Sequence, residues 1–124
     1  MKHVLITGGM GKLGTALSNL MDNAYLGTRD NFDFTNLVMM QNFLDQHSEI
    51  NTIIHCGALV SPPKVNEQVD VAIQTNIVGS ALVSMLCHQR GLRLIYISTD
   101  YVFSGDKGNY NEGDALFPQN KYAW

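Results

Sequence analysis

Thr7-Gly8-Gly9-Met10-Gly11-Lys12-Leu13-Gly14 decides how this chain is read. Before it, Lys2 to Thr7 is a short apolar, β-branched run that predicts a buried strand. After it, Leu13, Ala16, Leu17, Leu20 and Met21 fall at the spacing of one helical face, predicting a helix from near Gly11 to Asp22-Asn23. A glycine triad between a strand and the helix it precedes has a specific chemical use. Gly8 permits the sharp turn, Gly11 lets backbone amides approach a pyrophosphate at the positive helix end, and Gly14 lets the helix lie close to the sheet. Gly8, Met10, Gly11, Lys12 and Leu13 are therefore the expected dinucleotide contacts, with a ligand-free structural turn as the other reading.

Working outward, Ala24-Tyr25-Leu26 predicts a second strand, and Thr35 or Asn36 can cap a helix carrying Leu37, Met40 and Leu44 and ending near His47-Ser48. Thr52 to Cys56 predicts a third strand, closed by Gly57-Ala58. In residues 59–67, Pro62-Pro63 is expected to forbid both helix and central strand. A long helix is expected over 68–90, with Val69, Ala72, Ile73, Ile77, Ala81 and Leu82 inward and Gly91 as its stop. Leu92 to Ser98 reads as the fourth strand. Strands alternating with helices, and nearly continuous apolar strands, predict an α/β fold: a Rossmann-like doubly wound parallel sheet, covered on both faces, with strand order 3-2-1-4. Residues 100–124, rich in Gly, Asn and Asp, do not return to the sheet.

A length of 124 residues allows one ordinary domain or a piece of a larger one. With 45% hydrophobic and 15% charged residues and a mean hydropathy of −0.04, the chain is too apolar for disorder. Eight Lys+Arg against eleven Asp+Glu give a net charge of −3, which argues against nucleic acid or an anionic membrane as a partner. No uninterrupted apolar run approaches the ~18 residues that span a bilayer, and the first strand breaks at Gly8 too early for a secretion signal, so a soluble cytoplasmic protein is expected. Cys56 and Cys87 lack the spacing of a metal site and read as reduced core thiols.

An acidic residue at the end of the second strand commonly receives the ribose hydroxyl of NAD. Here the segment is Leu26-Gly27-Thr28-Arg29. The missing carboxylate and the Arg29 guanidinium, a good partner for phosphate, favour NADP over NAD. Arg29 as a solvated loop charge is the other reading.

Thr7-Gly8-Gly9-x-Gly11-x-Leu13-Gly14, Asp33-Phe34-Thr35, His55-Cys56-Gly57-Ala58, Asn76-x-x-Gly79-Ser80 and Ser98-Thr99-Asp100-Tyr101-Val102-Phe103 occur in that order. Together they resemble the extended short-chain dehydrogenases/reductases, nearest to nucleotide-sugar reductases of the dTDP-4-dehydrorhamnose reductase kind. The resemblance covers essentially the whole chain. It implies that Asp33 and Phe34 flank the adenine ring and that the His55 to Ala58 turn runs beside the cofactor, with Cys56, Gly57 and Ala58 as its contacts. His55 and Cys56-Gly57 depart from the family's Asn-Ala-Ala type of loop. Asn76 matches a family asparagine, either a cofactor-site residue or one satisfied by nearby backbone.

The resemblance further implies that Thr99 holds the substrate carbonyl and that Tyr122, in Pro118-x-x-x-Tyr122, is the proton donor. Reduction puts hydride on a carbonyl carbon while an acid protonates the oxygen, and a phenol with a pKa near ~10 needs help to do this at neutral pH. The family's lysine four residues after the tyrosine gives that help, and position 126 lies beyond Trp124. Lys121 points to a different side of any helix.

The chain thus resembles the N-terminal portion of an NADP(H)-dependent reductase of a 4-keto nucleotide sugar. Residues 1–124 would form part of the NAD(P)-binding domain, without the later strands and the substrate-binding lobe. Such a segment alone is expected to bind dinucleotide weakly at best and to have negligible reductase activity, and the full-length protein could form a homodimer. The alternatives are an NAD-dependent nucleotide-sugar epimerase or dehydratase, and a non-catalytic nucleotide-binding module like the regulatory β subunit of methionine adenosyltransferase, which has a similar 98–103 segment. No metal is expected.

Overall fold

The computed structural model of the protein describes residues 3–124, so the Lys2 end of the first expected strand lies outside the described residues. Four parallel strands, β1 (Val4–Thr7), β2 (Ala24–Gly27), β3 (Thr52–His55) and β4 (Arg93–Tyr96), form one sheet. Four helices accompany them: α1 (Lys12–Leu20), α2 (Leu37–Gln46), α3 (Pro62–Glu67) and α4 (Val69–Arg90). The architecture is the expected Rossmann-like one.

The strand order is β2-β1-β3-β4, which corrects the expected 3-2-1-4. Burial explains it. Leu5 and Ile6 of β1 and Ile53 and Ile54 of β3 are all buried, and such strands need neighbours on both edges. β2 is only partly buried before Gly27, and β4 exposes Arg93 and Tyr96, so both suit the sheet margins. Beyond β2, the polar stretch folds on itself instead of supplying another strand. Asn31 Oδ1 accepts from the Thr28 N–H and hydroxyl, and the Asp33 carboxylate accepts from the Thr35 N–H and hydroxyl. β2 and β3 therefore leave β1 on opposite sides, and a crevice opens where their loops diverge at the carboxyl ends of the strands.

Leu5 and Ile53 share one sheet face and pack with Met40 and Leu44 of α2 and Val83, Leu86 and Cys87 of α4. Asn36 caps α2, its side chain accepting from the Met39 N–H at 3.1 Å. On α1 the buried residue is Gly14, whereas Leu13, Leu20 and Met21, expected inward, are exposed.

Two helical expectations are corrected. Pro62-Pro63 begins α3 instead of preventing a helix, because in the first turn a missing N–H would have had no partner and proline's φ is already helical. Within α4, Ile73–Gly79 is π-helical. The wider i→i+5 turn shifts the phase of the buried stripe. Hence Ile73, Ile77 and Ala81 are exposed while Gly79, Val83, Leu86 and Cys87 are buried; of the expected inward set, Ala72 is buried and Val69 and Leu82 are partly so. By length and composition alone α4, with 22 residues and an 18-residue window of mean hydropathy 1.4, could cross a membrane, although no uninterrupted apolar run marks it in the sequence. Here its buried stripe lies on the sheet. Beyond β4 the chain forms a short turn, Asp100–Val102, and the Phe117 N–H donates to the Val102 carbonyl at 2.8 Å, drawing the last segment back to that turn.

Candidate coenzyme and catalytic site

A crevice of about 670 Å³ lies over the carboxyl ends of β1 and β2, extending to the loop after β3 and to α4. Its floor is the Gly8-Gly9-Met10-Gly11 backbone. Gly8 turns with φ +64°, and a Cβ there would meet the Gly57 N and Cα at 2.8 Å, so the loops after β1 and β3 touch backbone to backbone. A Cβ on Gly14 would sit 2.8 Å from Gly9 Cα and closer still to the Gly8 carbonyl oxygen, so only glycine lets α1 rest on the loop.

No side chain caps α1 at Gly11. The N–H groups of Lys12, Leu13 and Gly14, in the first helical turn, have no carbonyl one turn earlier in the helix to receive them. Uncapped amides at the positive end of a helix, beside a floor without side chains at three of four positions, suit the diphosphate of a dinucleotide. A ring or ribose fits the remainder of the crevice. On that side Arg29 lies exposed on the rim, and among the described residues it makes no ion pair. Asp33 and Phe34 also line the crevice. The Asp33 carboxylate is occupied by Thr35, at 2.9 Å to its N–H and 2.7 Å to its hydroxyl. Phe34 fills a slot between Gly57 and Gly79, where a Cβ on Gly79 would lie 2.7 Å from the ring.

Of the other expected contacts, Gly57 and Ala58 line the crevice, whereas the side chains of Lys12 and Leu13 are exposed beside it. Cys56 is half-buried outside the lining, its thiol pKa raised by burial, and Cys87 is buried in the core with its thiol pushed up to about 11 for the same reason. Both cysteines are free. Asn76 sits in the π-helical turn and clasps the Leu59 backbone, accepting from its N–H at 2.7 Å and donating to its carbonyl at 3.0 Å. This is the backbone-satisfied arrangement; Asn76 is outside the lining. Thr28, Gln74 and Thr75 do line it, although sequence reasoning missed them. Thr28 directly follows β2, where the sequence points to a coenzyme contact, but the helical pattern gives no sign that Gln74 and Thr75 line a crevice.

Thr99 and Tyr122 do not line this crevice, and both are linked to Tyr101. The Thr99 hydroxyl accepts from the Tyr101 N–H at 3.3 Å, and the Tyr101 ring meets that of Tyr122 edge to face at 5.9 Å between centroids. Tyr101, not singled out from sequence, is thus the link between the two expected catalytic residues. Lys121 is exposed.

His55, expected in the turn beside the cofactor and as a departure from the family's asparagine, is buried at the carboxyl end of β3 and does not line the crevice. Its Nδ1 lies 2.6 Å from Thr7 Oγ1 and its Nε2 3.0 Å from Ser80 Oγ. Burial lowers its pKa from 6.5 to about 4, so the ring is neutral near pH 7.

The RmlD substrate binding domain family matches residues 1–124. The β subunit of methionine adenosyltransferase 2 from Rattus norvegicus is 33% identical over an alignment that takes in 98% of this chain and 40% of the relative. The dTDP-4-dehydrorhamnose reductase of Aggregatibacter actinomycetemcomitans is 32% identical, with 99% and 44% covered. Among solved structures, dTDP-4-dehydrorhamnose reductase from Bacillus anthracis, in complex with NADP, superposes with a TM-score of 0.90 at 33% identity, covering 99% of this chain and 46% of that one. The chain spans less than half the length of each of these proteins.

Proposed function

Because the chain belongs to the RmlD substrate binding domain family, we propose that it holds NADP(H) in the β1–α1 crevice and serves the reduction of a 4-keto nucleotide sugar in the cytoplasm. The observation that carries this reading is the crevice itself: a side-chain-poor floor, the uncapped start of α1, and an unpaired guanidinium on the rim. The Bacillus anthracis reductase, similar over nearly all of this chain, was solved with NADP.

In this reading the α1 amides and Gly11 receive the diphosphate, and Arg29 receives the phosphate that distinguishes NADP from NAD. Phe34 walls the adenine side. NADPH supplies the hydride. The Thr99 hydroxyl donates to the substrate carbonyl oxygen, holding it, and Tyr122 delivers the proton to that oxygen as it gains charge. A lysine beyond Trp124 would aid the phenol, and the nucleotide sugar would be gripped by the part of the relatives that this chain does not span. A homodimer of the longer protein belongs to the same proposal.

Titration of the full-length protein with NADPH and NADH, followed by a turnover assay with dTDP-4-keto-6-deoxy sugars, tests it. The expected result is tighter binding of NADPH and stoichiometric consumption with product. Product formed without net NADPH consumption would point to an epimerase. Binding without turnover would leave a nucleotide-binding module and defeat the reductase reading.

A further inference from the structure

The glycine floor explains how a diphosphate could approach, but not what sets the distance between the two loops around it. The polar row across the carboxyl edge of the sheet does. Thr7, His55 and Tyr96 occupy matched register positions on β1, β3 and β4, on the face toward α4. Thr7 and His55 are buried, and the row is closed by Phe34, edge-on to His55 at 4.8 Å, and by Ser80 of α4.

The hydrogen bonds fix the direction of the row. Gly57 N–H donates to Thr7 Oγ1 at 3.3 Å. That oxygen is 2.6 Å from His55 Nδ1. If Nδ1 carried the proton, the Thr7 oxygen would accept twice and its own buried O–H would need another acceptor, at a cost of about 1–3 kcal/mol if it found none. With Nδ1 bare, Gly57 N–H donates to Thr7, Thr7 O–H donates to Nδ1, and Nε2–H donates to Ser80 Oγ; the hydroxyl proton left over is then that of half-buried Ser80 instead of fully buried Thr7. Gly57 is the residue whose backbone touches Gly8, and both line the crevice.

We propose that His55 is a positioning residue for the coenzyme crevice, held as the neutral tautomer with its proton on Nε2, which orients Thr7 so that the Thr7 oxygen holds the Gly57 N–H and sets the β3 loop against the glycine loop. This deepens the coenzyme reading and rests on it. The ring is not among the residues that line the crevice. Its effect passes through the Nδ1 arm to Gly57, while the Nε2 arm fastens α4.

The two arms are separable, since asparagine places an acceptor where Nδ1 stands and glutamine places a donor where Nε2 stands. His55→Asn, His55→Gln and His55→Phe are compared for melting temperature and NADPH dissociation constant in the full-length protein. All three are expected to melt lower. Affinity is expected to stay within about threefold in His55→Asn and to fall about tenfold or more in His55→Gln and His55→Phe. A merely structural histidine would make affinity follow melting temperature, with Asn and Gln alike, and that result overturns the proposal. Nitrogen NMR of the unmutated protein needs no variant to fold: an unprotonated Nδ1 and a protonated Nε2 are expected, and the reverse tautomer overturns the assignment. Were the unmutated protein to bind no NADPH, the coenzyme reading and the positioning role would fall together. Loss of the Asn–Gln ranking in a protein that does bind would sink only the role of His55.

Discussion

The carboxyl edge around β1 and the segment after β4 are built on opposite terms. Around β1, the crevice is made of backbone: glycines in contact, uncapped amides, and beneath them a row in which His55 bonds Thr7 on one side and Ser80 on the other. After β4, Thr99 and Tyr122 sit on turns joined through the Tyr101 ring and one backbone bond from Phe117 to Val102. The first region therefore reaches its shape within this chain. The second arranges two side chains whose work depends on a lysine and a sugar-binding lobe located, in the proposed reading, further along the longer protein. Binding and chemistry should respond differently to mutation for that reason.

The largest expected effect falls on the backbone-built region. Gly14→Val drives a side chain into the Gly8 carbonyl and the Gly9 Cα, so α1 must lift off its loop. Denaturant unfolding should show a loss of about 3 kcal/mol or more, and calorimetric titration should find no NADPH binding. Retained binding with unchanged stability would show that the close approach of α1 is dispensable.

Tyr122→Phe sharpens the contrast from the other side. In the full-length enzyme it should lower kcat by roughly 10²–10⁴-fold while NADPH affinity stays unchanged, because only the transferred proton is removed. An equal loss of coenzyme affinity would mean that the two regions are one site.

A third effect concerns pH. His55 is charged more easily in the unfolded chain, with an ordinary pKa of 6.5, than in the fold, where it is about 4. The fold binds the neutral form, so its contribution is fully present above about pH 6.5 and is lost as pH falls toward 4. Integrated over that window the loss is about 3 kcal/mol, and it should be absent in His55→Asn. Urea midpoints that change equally with pH in the two proteins would refute it.

The smallest effect is expected on the exposed rim. Arg29→Ala should weaken NADPH about tenfold and leave NADH nearly unchanged, since a solvent-accessible charge-assisted contact is lost. Equal effects on both coenzymes would remove the basis for selectivity.

Much of the first region was legible in the chain. The glycine triad between an apolar run and a helical pattern placed the crevice, and Asn36 announced the start of α2. Tyr101 and His55 were not legible, because what matters about them is contact across 21 and 48 residues of sequence, to Tyr122 and Thr7. The prolines at 62 and 63 misled because a residue that breaks a helix interior is at home in its first turn.

Local chemistry in the sequence was enough to determine an alternating parallel α/β fold, the glycine loop and the arginine just past β2, since each depends on residues adjacent in the chain. Tertiary structure alone decided that β3 lies beside β1, that α4 turns its buried stripe through a π-helical segment, and that a histidine is locked beneath the crevice. Those outcomes depend on which apolar surfaces find each other and which buried polar atoms find partners, and neither is a property of neighbouring residues.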